Sequence, residues 1–118
     1  KSRSGNVLTL TPAWSGYDRI LIIDEENNAS VQLTIYKDEK MTAFLHSLYV
    51  SKDKRKKGHG TRLMKQAENM TLSNGRKCII LQVEKQDSQE TLQHFYEHLG
   101  YEKTKEDSEY IEMKKELK

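Results

Sequence analysis

Residues 42–60 read TAFLHSLYVSKDKRKKGHG, a nine-residue run dominated by apolar and aromatic side chains and followed by a basic loop with two glycines. The run from Thr42 to Val50 has strand composition, and its length makes it a central strand. The segment Ser51 to Gly60 is polar and basic and breaks that pattern. It leads into Thr61–Leu72, where Leu63, Met64, Ala67, Met70 and Thr71 recur near helical spacing, and Asn74-Gly75 stops the helix. A loop that enters a helix through glycines presents several unpaired backbone N–H groups together with the positive end of the helix dipole, a natural cradle for a pyrophosphate. Between Lys52 and Lys57 stand five basic residues and one acid, Asp53, a local charge of +4 on a chain whose formal total is only +2. A polyanionic ligand accounts for that concentration, although a solvated basic loop does so as well.

Outward from this segment, Tyr17–Asp24 and Ala29–Tyr36 read as a hairpin turned by Glu25-Glu26-Asn27-Asn28. In its second strand Val31, Leu33 and Ile35 alternate with Gln32, Thr34 and Tyr36, as in a sheet with one wet face. Residues before Tyr17, with the only proline at Pro12, read as irregular. On the other side, Lys77–Val83 is an apolar strand. Ser88–Leu99 is a helix capped by Ser88 and ended by Gly100, and Tyr101–Lys105 with Glu109–Lys114 is a closing hairpin. The order is β-β-β-α-β-α-β-β, an α/β (α+β) class with a mixed central sheet containing at least one parallel crossover.

The chain has 118 residues with 35% hydrophobic positions and a mean hydropathy of −0.88, enough for one modest core in a single domain spanning 1–118. Nine aromatics and several β-branched runs argue against disorder. No stretch approaches the roughly 18 apolar residues of a membrane span. A single cysteine, Cys78, allows no internal disulfide, and no leader pattern opens the chain, so the expected setting is the cytoplasm. Cys78 itself reads as a small buried hydrophobe, and the four histidines form no ligand cluster, so no metal is expected.

Two short motifs carry a resemblance. Arg55-Lys56-Lys57-Gly58-His59-Gly60, directly after the strand ending Leu48-Tyr49-Val50, is similar to the R/Q-x-x-G-x-G/A acetyl-CoA signature of the GNAT N-acetyltransferases. Phe95-Tyr96-Glu97-His98-Leu99-Gly100-Tyr101 is similar to that family's F-Y-x-x-x-G-F/Y segment. The resemblance covers about residues 17 to 114 and implies a sheet whose parallel strands splay apart at the cofactor. The backbone of Leu48, Tyr49 and Val50 would pair with the pantetheine arm of acetyl-CoA like an added strand. Amides from Lys56 through Lys57, Gly58, His59, Gly60 and Thr61 would hold the pyrophosphate, with Arg55 the signature residue. Lys52, Lys54, Lys56 or Arg62 would reach the 3′-phosphate. Tyr96 would be the general acid that protonates the departing thiolate, a role chemically suited to a phenol of pKa about 10 facing a thiol of pKa about 8.5.

Departures from the family pattern leave alternatives open. Gln89 stands where many members carry an asparagine toward the cofactor arm. Phe44 stands where some carry a carboxylate base. His46, two residues on and so on the same strand face, is a candidate base, alongside Glu84 and water relays. The two helices that usually wall the acceptor cleft look truncated, with only sixteen residues before Tyr17. An open cleft would suit a protein or peptide amine, and otherwise a second subunit, as in a homodimer, would complete it. Acids at Asp24-Glu25-Glu26 and at Glu106, Asp107 and Glu109 would attract a cationic amine or simply form charged turns. The competing functions are an acetyl-CoA-binding regulatory module without catalysis and nucleic-acid binding through Lys52–Lys57. The second of these is disfavoured by the small net charge and the absence of aromatics in the basic run.

Overall fold

Period-two alternation along five strands puts one file of aliphatic side chains on one face of a sheet. Ile20, Leu33, Leu45, Leu81 and Met113 are successive register partners across that sheet, and each is at most 5% exposed. The computed structural model describes residues 6–11, 16–51, 53, 57–85 and 89–117, and for Ser47 and Gln89 the backbone alone. Its elements are β1 (Asn6–Leu10), β2 (Tyr17–Asp24), β3 (Ala29–Tyr36), β4 (Thr42–Val50), α1 (His59–Ser73), β5 (Cys78–Glu84), α2 (Gln89–His98), β6 (Glu102–Glu106) and β7 (Tyr110–Glu116). The strands form one sheet in the order β1-β2-β3-β4-β5-β7-β6. Every pairing is antiparallel except β4 with β5, the parallel crossover expected around α1.

Both helices cover the aliphatic face. Leu63, Met64 and Ala67 of α1 and Tyr96 of α2 belong to the same buried cluster as the strand residues, α1 lying over β3, β4 and β5 and α2 against β5. Each fully buried Leu, Ile or Met there contributes about 1.5–3 kcal/mol. The opposite face carries Arg19, Leu21, Gln32, Phe44, His46 and Gln82, all half-buried or exposed, and no described helix covers it. Only residues 11–16 separate β1 from β2, too few for two helices, so the truncation expected from the sequence is borne out.

The structure corrects the reading of the amino-terminal segment as irregular, because Asn6–Leu10 pairs antiparallel with Leu10↔Arg19 through Asn6↔Ile23 as an edge strand. All five residues are exposed, so burial left no one-sided pattern to read. α1 begins two residues earlier than expected, since the Arg62 N–H already bonds the Gly58 carbonyl at 3.0 Å. Glu84 is the last residue of β5, paired with Tyr110, and not a residue beyond the strand. β2, β3 and β4 have the expected bounds, and those of β5, α2, β6 and β7 differ by one or two residues. Ser88, the expected cap of α2, lies outside the described residues.

Candidate active site

The site begins with a defect in β4. Between the pairs Gln32↔His46 and Ser30↔Tyr49, β4 advances three residues while β3 advances two, so one extra residue bulges out of β4. A bulge bends a strand and sharpens its twist. The parallel ladder to β5 ends at Leu45↔Leu81, immediately before that bulge. Beyond Leu45↔Leu81 the ladder between the two central strands stops, and the sheet opens between their carboxyl ends while each keeps its other neighbour, β3 or β7. An unpaired strand edge inside a sheet is a template for an extended ligand. Leu48 and Val50 pack against the core, whereas Tyr49 is 48% exposed.

The amino terminus of α1 stands beside this opening. Gly58 caps it with φ 86° and ψ 2°, a left-handed conformation that glycine adopts without penalty. Among the described residues no side chain caps the helix, and its first turn holds no acid, so its leading N–H groups and the positive end of the dipole face a ligand. The Arg62 guanidinium folds back onto His59 Nδ1 and over Gly58, adding a cation at the same place. Lys57 and Thr61 are exposed, His59 and Gly60 half-buried. At Gly60 a Cβ would sit 3.2 Å from Phe95 Cζ and 3.7 Å from a Val50 methyl, so the absence of a side chain lets α2, β4 and α1 meet. Phe95 carries no signal of this contact in the sequence beyond its place in the second motif. Lys52, Lys54, Arg55 and Lys56 lie outside the described residues, as does the side chain of Gln89.

Tyr96 follows Phe95 into the core on the helix-covered side and is 5% exposed. Its ring meets those of Phe95 and Tyr101 edge-on, at centroid distances of 5.2 and 5.8 Å. Burial alone pushes its phenol up to about 12, because the phenolate is poorly solvated there. The structure thus brings together the end of β4, the start of α1 and Phe95, with Tyr96 against the Phe95 ring. It does not bring His46 to them. Leu45 faces the core, so His46, next in the strand and before the bulge, faces the uncovered side, as does Glu84 across the opening. Partial desolvation, and then the charge of Arg19, lower the His46 pKa from its ordinary value, leaving a neutral imidazole at pH 7.

At the β2–β3 turn, Asp24 and Glu25 line a recess of about 310 Å³ with Leu21, Ile23, Asn28 and Ser30. The other acidic cluster is engaged structurally. Glu106 pairs with Lys85 and Lys103, and Asp107 accepts the N–H groups of Glu109 and Tyr110, so those charges shape the β6–β7 turn. Cys78 is buried and free, with its sulfur 3.1 Å from Thr42 Oγ1. Among the described residues no group of three or more His, Cys, Asp or Glu could hold a metal ion. No described helix is long and apolar enough to cross a membrane.

Comparison with known proteins agrees with this geometry. The fold matches an aminoglycoside 6′-N-acetyltransferase solved with coenzyme A, at 22% identity and TM-score 0.68 over 87% of this chain and 74% of that one. It matches a GNAT family acetyltransferase from Elizabethkingia anophelis with acetyl-CoA bound, at 14% identity and TM-score 0.69 over 87% and 78%. An aminoglycoside 6′-acetyltransferase type Ii is similar at 26% identity and TM-score 0.68, over 87% and 70%. Among curated proteins none matches. The family description of an acetyltransferase (GNAT) domain matches residues 16–103, most of the chain. The chain therefore belongs to the GNAT acetyltransferase family.

Proposed function

We propose that this chain is an acetyl-CoA-dependent N-acetyltransferase, a single domain in which a neutral primary amine attacks the thioester directly. One juxtaposition carries this: at Gly60 the start of α1 meets Val50 of β4 and Phe95 of α2, and the buried Tyr96 ring lies against that of Phe95. The residues fit the cosubstrate. Leading N–H groups of α1, with Arg62 and Lys57, suit a pyrophosphate. The segment Leu48, Tyr49 and Val50, on β4 beyond the end of its ladder with β5, suits the amide-bearing pantetheine arm. The tight packing at Gly60 brings these elements next to α2.

In the reaction the amine nitrogen bonds to the thioester carbon, an N–H of the splayed β4 segment stabilises the oxyanion, and the C–S bond breaks. Tyr96 gives its proton to the leaving sulfur and recovers one from solvent. A phenol near 12 is fully protonated at neutral pH, which suits a proton donor. The same dry surroundings raise the pKa of the leaving thiol as well, which keeps the transfer within reach. The amine's own proton passes to His46, to Glu84 or through water, on the uncovered face from which an acceptor arrives. A cytoplasmic setting fits the single free Cys78, and an acceptor cleft lacking two walls fits either a large amine substrate or a second copy of the chain.

The test is titration calorimetry with acetyl-CoA, followed by thiol release in the presence of kanamycin, spermidine and a lysine-containing peptide. Micromolar binding with amine-dependent release is expected. Release should climb with pH, because an alkylammonium near pKa 10.4 must lose its proton before it attacks. Tyr96→Phe should lower kcat about 100-fold. Binding without release to any of these amines would favour the regulatory module, and no binding would overturn both.

A further inference from the structure

We propose that Tyr101, Glu68 and Lys115 form a positioning set that holds the Tyr96 ring in line with the opening between β4 and β5. This rests on the reading of Tyr96 as the proton donor. Two contacts join Tyr101 to Tyr96, and three more hold Tyr101, Glu68 and Lys115 together. The Tyr101 N–H donates to the Tyr96 carbonyl at 3.0 Å, and the two rings meet edge-on at 5.8 Å. The Tyr101 hydroxyl donates to Glu68 Oε2 on α1 at 3.0 Å. The Lys115 ammonium on β7 lies 3.2 Å from both oxygens of that carboxylate and 5.7 Å from the centre of the Tyr101 ring.

The turn that makes this possible is Gly100, whose φ of 100° reverses the chain after α2, and whose missing Cβ would otherwise stand 3.2 Å from Lys115 Cε. Residue 101 is thereby folded back beneath residue 96. A phenylalanine would fill the same 2% exposed site without a polar atom. Burying a hydroxyl there is costly unless it is bonded, and here it is bonded to an ionised acceptor, among the stronger hydrogen bonds available to a side chain. Packing alone needs no such chain of polar groups. The chain of contacts ties the last turn of α2 to α1 and β7 at once, so the Tyr96 ring is braced from two further elements. Tyr101 is not itself the acid, since burial and the charge of Glu68 push its phenol further up than that of Tyr96.

The decisive experiment is a double-mutant comparison on the full chain, reading thiol release from acetyl-CoA with kanamycin, spermidine, a lysine-containing peptide or water, whichever is fastest. Tyr101→Phe should lower kcat about 10-fold and leave the KM for acetyl-CoA unchanged, because a displaced proton donor costs rate and not binding. In the Tyr96→Phe background the same change should cost nothing further, since Tyr101 acts only through Tyr96. Glu68→Gln keeps an acceptor for the hydroxyl and should stay within about 2-fold of wild type, while Glu68→Ala should match Tyr101→Phe. A readout independent of turnover is the ¹³Cζ resonance of labelled Tyr96. In the wild type it should not move up to pH 11, whereas in Tyr101→Phe it should begin to titrate nearer 10 as water gains access. An unchanged kcat in Tyr101→Phe, a further 10-fold loss in the double variant, or a Tyr96 resonance that does not change would overturn the positioning role and leave the acid assignment standing. Full activity of Tyr96→Phe would overturn the acid assignment, and this proposal with it.

Discussion

Replacing Gly58 with alanine separates backbone strain from steric clash at the start of α1. The backbone there has φ 86° and ψ 2°, a region that costs a residue bearing a Cβ about 1–2 kcal/mol. The added Cβ would meet only Arg62 Nη1 at 3.6 Å, an ordinary contact, so no clash adds to the strain. Alanine also narrows the unfolded ensemble and returns about 0.4–1 kcal/mol. The net loss is about 1 kcal/mol. With an unfolding entropy of about 2.1 cal/mol/K per residue over 118 residues, the Tm should fall by about 4 °C. Asparagine tolerates the left-handed region and brings a carbonyl oxygen suited to the cap position, so Gly58→Asn should melt within about 2 °C of wild type. Thermal melts followed by circular dichroism, with urea midpoints as a check, measure both. An alanine variant as stable as wild type, or an asparagine variant as unstable as alanine, would refute the strain argument.

Alkaline stability depends on Tyr96, whose folded-state pKa is raised from 10.0 to about 12. The stability due to this shift is fully present below pH 10 and lost as pH rises through 12, a difference of about 3 kcal/mol. Tyr96→Phe should therefore show a shallower fall in urea midpoint between pH 9.5 and 12 than wild type, and parallel curves would contradict its burial. Leu33 is fully buried at the centre of the sheet, so Leu33→Ala should cost about 2–5 kcal/mol in urea unfolding. Cys78 is 4% exposed, and its thiol should react with a disulfide reagent on the timescale of unfolding in native buffer and at once in 6 M urea. Rapid native modification would show that its strand opens locally.

The elements that bury one face were legible in the chain because periodicity is a local property. Val31, Leu33 and Ile35 announced β3 within its observed limits, and the glycines at 58 and 60 marked the start of α1 to within two residues. The two motifs lie far apart in the chain, and the structure brings Gly60 of the first against Phe95 of the second. β1 escaped notice because an edge strand exposed on both faces shows no alternation of burial, and burial is what composition records.

By itself, then, the sequence determined the order of strands and helices from β2 onward, the parallel crossover around α1 and the identity of the glycine turns, since each follows from residues a few positions apart. Tertiary structure alone decided the rest. The sheet opens after Leu45 because a bulge against β3 coincides with the end of the β5 ladder, a matter of register between strands distant in the chain. His46 and Tyr96 fall on opposite faces of the sheet, which depends on where that bulge lies. Glu68, Tyr101 and Lys115 meet across separations of 33 and 47 residues, too far for any local pattern to encode. Such contacts arise only when packing brings distant elements together, and through Tyr101 they reach the side chain on which the proposed chemistry depends.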